Sequence, residues 1–271
     1  KTISELNVVR EGMAYHDKLL SIEHDLMVAR EIQRAILPKS IPELVWAGIF
    51  GSMDAARQIG GDFFDYFMMD AHRLGFVIGD VSGKGIPAAI FMAVSRTLIR
   101  ATGLKGMSPS ECMNYVNHLL CTESVNSMFV TVFYGMIDKE NETLHYVNAG
   151  HNPPVLLRQD GSVEVFPLTS NIVLGVCDGY EFTSHKVPFQ KGDILVLYTD
   201  GVTEAFNGDQ EEYGFDTLKT LLREQVLEKP EIMGAGDAAA QTCRIITRDV
   251  TRFAGDEEQS DDITVLILKR N

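Results

Sequence analysis

Basic residues are scarce in this chain. Of 271 residues, 24 are Lys or Arg and 38 are Asp or Glu, for a net charge of −14. The first forty residues are balanced, six basic against six acidic, so the remainder carries the whole excess. A body this acidic is a poor partner for nucleic acid or for an anionic membrane surface, but it tolerates divalent cations. Cysteine is also sparse. Cys112, Cys121, Cys177 and Cys243 are scattered, no pair has zinc-ligand spacing, and nothing implies a secreted disulfide framework. Reduced thiols in a cytoplasmic protein are the simplest expectation. No apolar run reaches membrane-spanning length, and no signal-peptide pattern opens the chain. The first residue is Lys1, already inside a helical pattern, so an upstream sensory or receiver domain is expected.

Residues 1 to about 37 contain no Gly or Pro except Gly12 and read as one helix, ended by Pro38 and Pro42. Leu6, Met13, Leu20 and Met27 recur every seven residues, the spacing of a coiled-coil seam, but the companion positions Arg10, Asp17 and His24 are polar. A second stripe runs Leu19, Ile22, Leu26, Ala29, Gln33, Ile36. Two readings stand side by side: an amphipathic helix packed on its own domain, or a signalling helix that forms a homodimer and relays an upstream signal. The expected division is a regulatory helical segment over 1–40 and a catalytic domain over 41–271.

From Trp46 the pattern changes to strands, at 46–53, 63–69, 74–79, 129–137, 144–148, 154–158, 163–166, 194–199 and 263–268. Helical stretches interrupt them at 87–103, 109–125, 215–228 and 235–252, with Pro87 suited to a helix start and Ser108 and Glu111 forming a capping signature. Strand pairs separated by helices predict an α+β fold with antiparallel sheets.

Four acidic motifs sit at strand edges: IGGDFFD around Asp62, GDVSGKG around Asp80, LYTDGVTEA around Asp200 and SDDITVLIL around Asp261. Carboxylates gathered in one cleft repel unless cations separate them, and oxygen ligands suit hard ions such as Mn²⁺ or Mg²⁺. The pattern therefore predicts a two-metal hydrolase acting on phosphate. GDVSGKG is not a nucleotide-binding P-loop, because only three residues separate Gly79 from Gly83-Lys84 and Gly85 follows the lysine. Asp62 and Asp65 lie three apart and should face opposite sides of a strand, so only Asp62 is expected in the cleft. Asp65 is expected to support a ligand or face solvent. Asp200 leaves the apolar strand Ile194–Tyr198, where an unpaired buried charge would be costly. Asp261 enters a strand from a loop that also holds Asp256, Glu257 and Glu258, so a solvated acidic turn is the competing account.

The succession IGGDFFD, GDVSGKG, FVTVFYGMID, NAGHNPP, LYTDGVTEA and SDDITVLIL resembles the metal-dependent protein phosphatases of the type 2C superfamily. It is most similar to the bacterial branch that includes the stage-two sporulation phosphatase E and the regulators of sigma factor B. The resemblance runs from about Ala29 to the C-terminus. It implies two stacked antiparallel β-sheets flanked by α-helices, with two Mn²⁺ or Mg²⁺ ions at one end. It implies that Asp80 bridges both ions, that the Val81 carbonyl completes one site, that Asp62 serves one ion, and that Asp200 and Asp261 serve the other. Asp262 would be a neighbour rather than a ligand. It further implies hydrolysis of phosphoserine or phosphothreonine on a regulatory protein, typically an anti-sigma-factor antagonist, by a metal-activated water. A catalytically silent binding module and a two-metal phosphohydrolase acting on nucleotides are the alternatives. His151 is weighed as a general acid against a turn-stabilising role, Arg57 as a phosphate contact, and Lys84 as a substrate contact or a solvated side chain.

Overall fold

The computed structural model describes residues 3–38, 44–123, 128–234 and 236–271. The expected boundary at 40/41 and the helix stop at Pro42 fall outside them, as does the side chain of Leu6. Helix α1 spans Ile3–Ile36 and is followed by strands β1 (Ala47–Asp54), β2 (Phe63–Met68) and β3 (Arg73–Val81). Helices α2 (Ile86–Gly103) and α3 (Pro109–Glu123) come next, then β4 (Val130–Asp138), β5 (Thr143–Ala149), β6 (Val155–Leu157), β7 (Val163–Val165), β8 (His185–Pro188) and β9 (Ile194–Tyr198). The chain closes with α4 (Asp200–Thr203), α5 (Phe215–Leu222), a π-type turn over Arg223–Leu227, α6 (Pro230–Met233), α7 (Ala238–Ala254) and β10 (Ile263–Arg270).

The strands form two antiparallel five-stranded sheets, ordered β1-β10-β9-β6-β7 and β2-β3-β4-β5-β8. Strand alternation explains how they stack, because successive side chains point to opposite faces. In β9, Leu195 and Leu197 face the other sheet, whereas Ile194, Val196 and Tyr198 meet the side chains of α5 and α7. In β2, Phe64 and Tyr66 face inward and Phe63 and Phe67 meet α2. Aromatic rings of Phe76, Phe133 and Tyr146 stack in series through the central layer. The result is helices, sheet, sheet, helices, the expected architecture.

Local signals read from sequence hold where they rest on side-chain chemistry. Ser108 donates its backbone N–H to Glu111 Oε2 at 2.9 Å, and the Glu111 N–H returns to Ser108 Oγ at 3.4 Å, a reciprocal cap at the start of α3. The turn between β6 and β7 is closed by the Arg158 N–H on the Ser162 carbonyl, with Gly161 at φ 92°. Pro87 stands second rather than first in α2, because Ile86 opens the helix.

Among the described residues, helix α1 meets the body near its C-terminal end. Gln33 is buried there, while Met13, Leu20 and Met27 are exposed, as are Leu19 and Ile22. Gln33 donates through Nε2 to the Gly60 carbonyl at 2.6 Å, and its Oε1 accepts the Gly60 N–H at 3.2 Å. One side chain thus satisfies both backbone groups of the residue two before Asp62. Among the described residues, no helix is long and apolar enough to cross a membrane.

Candidate metal centre

Asp62 precedes β2 and Asp80 ends β3, both in one sheet; Asp200 follows β9 and Asp261 precedes β10, both in the other. The cleft between these strand ends is where the two sheets present their carboxylates to one another. Glycines allow the approach. A Cβ on Gly61 would lie 2.9 Å from the Val81 carbonyl oxygen and 3.5 Å from Asp80 Oδ1, so these two oxygens lean over the same bare backbone. A Cβ on Gly201 would lie 2.0 Å from the Asp262 carbonyl oxygen, so only glycine lets the Asp200 turn close on the Asp261–Asp262 segment.

Asp262 stitches the cleft together. Its Oδ1 accepts the Ala56 N–H at 2.9 Å, and its Oδ2 accepts the Gly61 N–H at 2.9 Å and the Asp62 N–H at 3.4 Å. With three backbone donors on its two oxygens, Asp262 is committed to holding the loop ahead of β2. Thr199 adds a second stitch, donating Oγ1–H to Asp62 Oδ2 at 2.7 Å while its Oγ1 accepts the Thr264 N–H at 3.0 Å.

The electrostatics are those of crowded like charges. Burial first, then Asp200 and Asp261, push the Asp80 carboxyl up to about 7. Burial and then Asp80 hold Asp62 well above the usual carboxylate range. Burial and Asp261 raise Asp200. Every one of these shifts would be relieved by positive charge in the cleft. Even so, among the described residues no three acidic, His or Cys side chains stand as a ready-made cage. The geometry supplies a reason. Asp261 Oδ2 is held 2.8 Å from Lys84 Nζ, which also donates to the Ser260 carbonyl at 2.9 Å. The donor set of carboxylates and one carbonyl, all oxygen, fits hard divalent ions and not soft ones.

The other candidates resolve as follows. His151 is buried. Its N–H donates to Asn148 Oδ1 at 2.8 Å, its carbonyl accepts from Asn148 Nδ2 at 3.0 Å, and its Nδ1 lies 3.0 Å from Thr131 Oγ1. Burial lowers its pKa to about 4, so it is neutral near pH 7. This is the turn-stabilising role. Arg57 is exposed and lines the cleft with Asp80, Lys84 and Asp261.

Asp65 is a correction. It is fully buried, not solvent-facing. Period-2 alternation puts it beside Phe63 and Phe67, under α2, where Oδ1 accepts from Arg100 Nη1 at 2.7 Å and Oδ2 lies 2.8 Å from Arg96 Nη2. The Arg96 contact is an ion pair whose angles fall short of a hydrogen bond. Arg96 and Arg100 stand four apart on one face of an otherwise apolar helix, and that spacing was the signal for a buried acidic partner.

Residues 70–271 match the family described as Stage II sporulation protein E (SpoIIE). The chain belongs to the SpoIIE family. Its fold is that of PP2C-type domains, as expected from the motifs. Its relatives include Protein IcfG of Synechocystis, 31% identical over 91% of this chain and 42% of that protein, and the phosphoserine phosphatase RsbU of Bacillus subtilis, 28% identical over 96% and 76%. The chain thus spans less than half of IcfG. The SiaA-PP2C domain of Pseudomonas aeruginosa shares the fold, with TM-score 0.79 at 20% identity over 94% of this chain and 99% of that one.

Proposed function

We propose that this domain is a protein-serine/threonine phosphatase that hydrolyses phosphoserine or phosphothreonine on a regulatory protein of the anti-sigma-factor-antagonist type. The observation that carries the reading is the gathering of Asp62, Asp80, Asp200 and Asp261 from the strand ends of both sheets, with Asp80 feeling the charges of Asp200 and Asp261 and Asp62 feeling that of Asp80. The similarity to the phosphoserine phosphatase RsbU over 96% of this chain supports it.

In this reading Asp62, Asp80, the Val81 carbonyl, Asp200 and Asp261 would hold two Mn²⁺ or Mg²⁺ ions. Such ions supply charge neutralisation and a water acidified toward neutral pH. The chain's own residues do the positioning. Asp262 fixes the Gly60–Asp62 loop, Thr199 orients the Asp62 carboxylate, and Gly61 and Gly201 keep the backbone out of the cleft. Arg57, at the rim, is placed to meet the phosphate oxygens of a substrate. His151, buried with its pKa lowered to about 4, is not an imidazolium near pH 7 and is therefore a poor acid for the leaving serine. The wider setting proposed is a cytoplasmic protein with an upstream input domain, dimeric through α1. Regulation through α1 rests on the Gln33 clamp at Gly60.

The test is hydrolysis of an aryl phosphate and of a phosphoserine protein, with Mn²⁺ and with EDTA, beside Asp80→Asn. Mn²⁺-dependent turnover lost in the variant is the expected result. Turnover of nucleotides but not of phosphoprotein would replace the substrate assignment. Turnover that survives Asp80→Asn would refute the site.

A further inference from the structure

Lys84 is the one residue of the glycine turn whose side chain crosses the cleft. Gly83 and Gly85 flank it at φ 87° and 78°, and neither has a heavy atom within 4 Å of where a Cβ would stand, so the turn is open and the lysine alone spans the gap. Its base belongs to the connection between β3 and α2, in one sheet. Its ammonium lies 2.8 Å from Asp261 Oδ2 and 2.9 Å from the Ser260 carbonyl, in the loop that enters β10 of the other sheet. No other ion pair among the described residues engages the four cleft carboxylates. The Lys84 charge is also felt at Asp200 and Glu204, where it opposes the upward push of burial and of neighbouring carboxylates.

We propose that Lys84 is a tethered counter-cation that holds Asp261 across the cleft and competes with a divalent ion for that carboxylate, so that Lys84 tunes metal affinity. The proposal rests on the metal-centre reading above. An ammonium 2.8 Å from Asp261 Oδ2 takes up one of its lone pairs and offsets the charge that an ion would use, so the contact competes with ion binding. The pair is about half exposed, so the competition is modest. An exposed pair is worth roughly 0.2–1 kcal/mol, which is about a 1.4- to 5-fold change in an equilibrium constant. Lys84 is a positioning residue in this account and forms or breaks no bond of the substrate.

The experiment is calorimetric titration of Mn²⁺ into EDTA-stripped and dialysed protein, for native, Lys84→Gln, Lys84→Arg, Asp261→Asn and the Lys84→Gln/Asp261→Asn double variant. Circular dichroism checks that each is folded. Lys84→Gln should bind Mn²⁺ about two- to fivefold more tightly, and Lys84→Arg should stay near native. In the Asp261→Asn background, Lys84→Gln should give a smaller gain, the part that acts through Asp200. Acetylation of Lys84 by acetic anhydride, read by peptide mass spectrometry, should rise when Mn²⁺ is present. An affinity in folded Lys84→Gln that is equal to or weaker than native would overturn the proposal, as would the same gain with Asp261 removed. Native protein that takes up no Mn²⁺ would sink the metal centre itself and this inference with it.

Discussion

Replacing Asp65 with asparagine should destabilise the fold and leave metal response intact. Asp65 is fully buried, and Arg96 is nearly so at 13% side-chain exposure, while Arg100 is 37% exposed and also stacks on Phe67 at 5.3 Å. Removing one partner of a buried ion pair costs about 3–5 kcal/mol, because the remaining charge stays buried without compensation. Arg100 can turn to water and keeps its ring contact, which places the expected cost at the lower end, about 3 kcal/mol. For a domain of this size that is roughly a 6–12 °C fall in melting temperature. The assay is thermal unfolding of native and Asp65→Asn proteins, each with and without Mn²⁺. Because Asp65 faces α2 and Asp62 faces the cleft, the Mn²⁺-induced rise should be the same in both. An unchanged melting temperature would refute the burial argument. A lost Mn²⁺ rise in a variant that melts like the native protein would make Asp65 a residue of the site.

Three further outcomes are expected. His151, held neutral with a pKa of about 4 against an ordinary 6.5, adds stability that is full above pH 6.5 and is lost as pH falls toward 4. The stability gap between native protein and His151→Gln in urea melts should therefore narrow by about 3 kcal/mol over that window; a constant gap would mean that His151 does not titrate there. Gly201→Ala puts a methyl group 2.0 Å from the Asp262 carbonyl, so the backbone must part; we expect a loss of about 1–3 kcal/mol together with a weaker Mn²⁺ shift, and native-like behaviour in both would contradict the close approach. Gln33→Ala strips both backbone bonds from Gly60 and should change Mn²⁺ affinity as well as stability; a change in stability alone would make α1 a strut without a regulatory role.

The layered fold was readable because its strands declare themselves. Ile194–Tyr198 and Ile263–Leu268 are almost wholly apolar, as strands buried on both faces must be. β8 was missed because His185-Lys186-Val187-Pro188 pairs only at a sheet edge and is partly exposed. Both α4 and α6 are single turns, too short for a periodic signal. In the cleft, the four aspartates were legible as motifs, but the residues that hold them were not. Asp262 acts on Ala56 and Gly61 from about two hundred positions away, and Gln33 reaches Gly60 from another element. The hint was there in Gln33, a polar residue within an apolar helical stripe, which is unexpected on a face that packs unless it has a partner.

The cleft draws Asp62 and Asp80 from one sheet and Asp200 and Asp261 from the other, and among the described residues no strand pairing joins the two sheets. What spaces the two pairs of carboxylates is the layer of side chains between the sheets, among them Phe64, Phe76, Phe133, Leu197 and Leu266, together with the Asp262 and Thr199 bonds at the cleft. The apolar core is therefore a caliper. If the carboxylates hold ions as proposed, core thickness selects ionic radius, since Mg²⁺ demands oxygens at about 2.0–2.1 Å and Ca²⁺ accepts about 2.3–2.6 Å. A substitution such as Phe133→Leu, remote from every carboxylate, would then show itself in which metal the domain prefers.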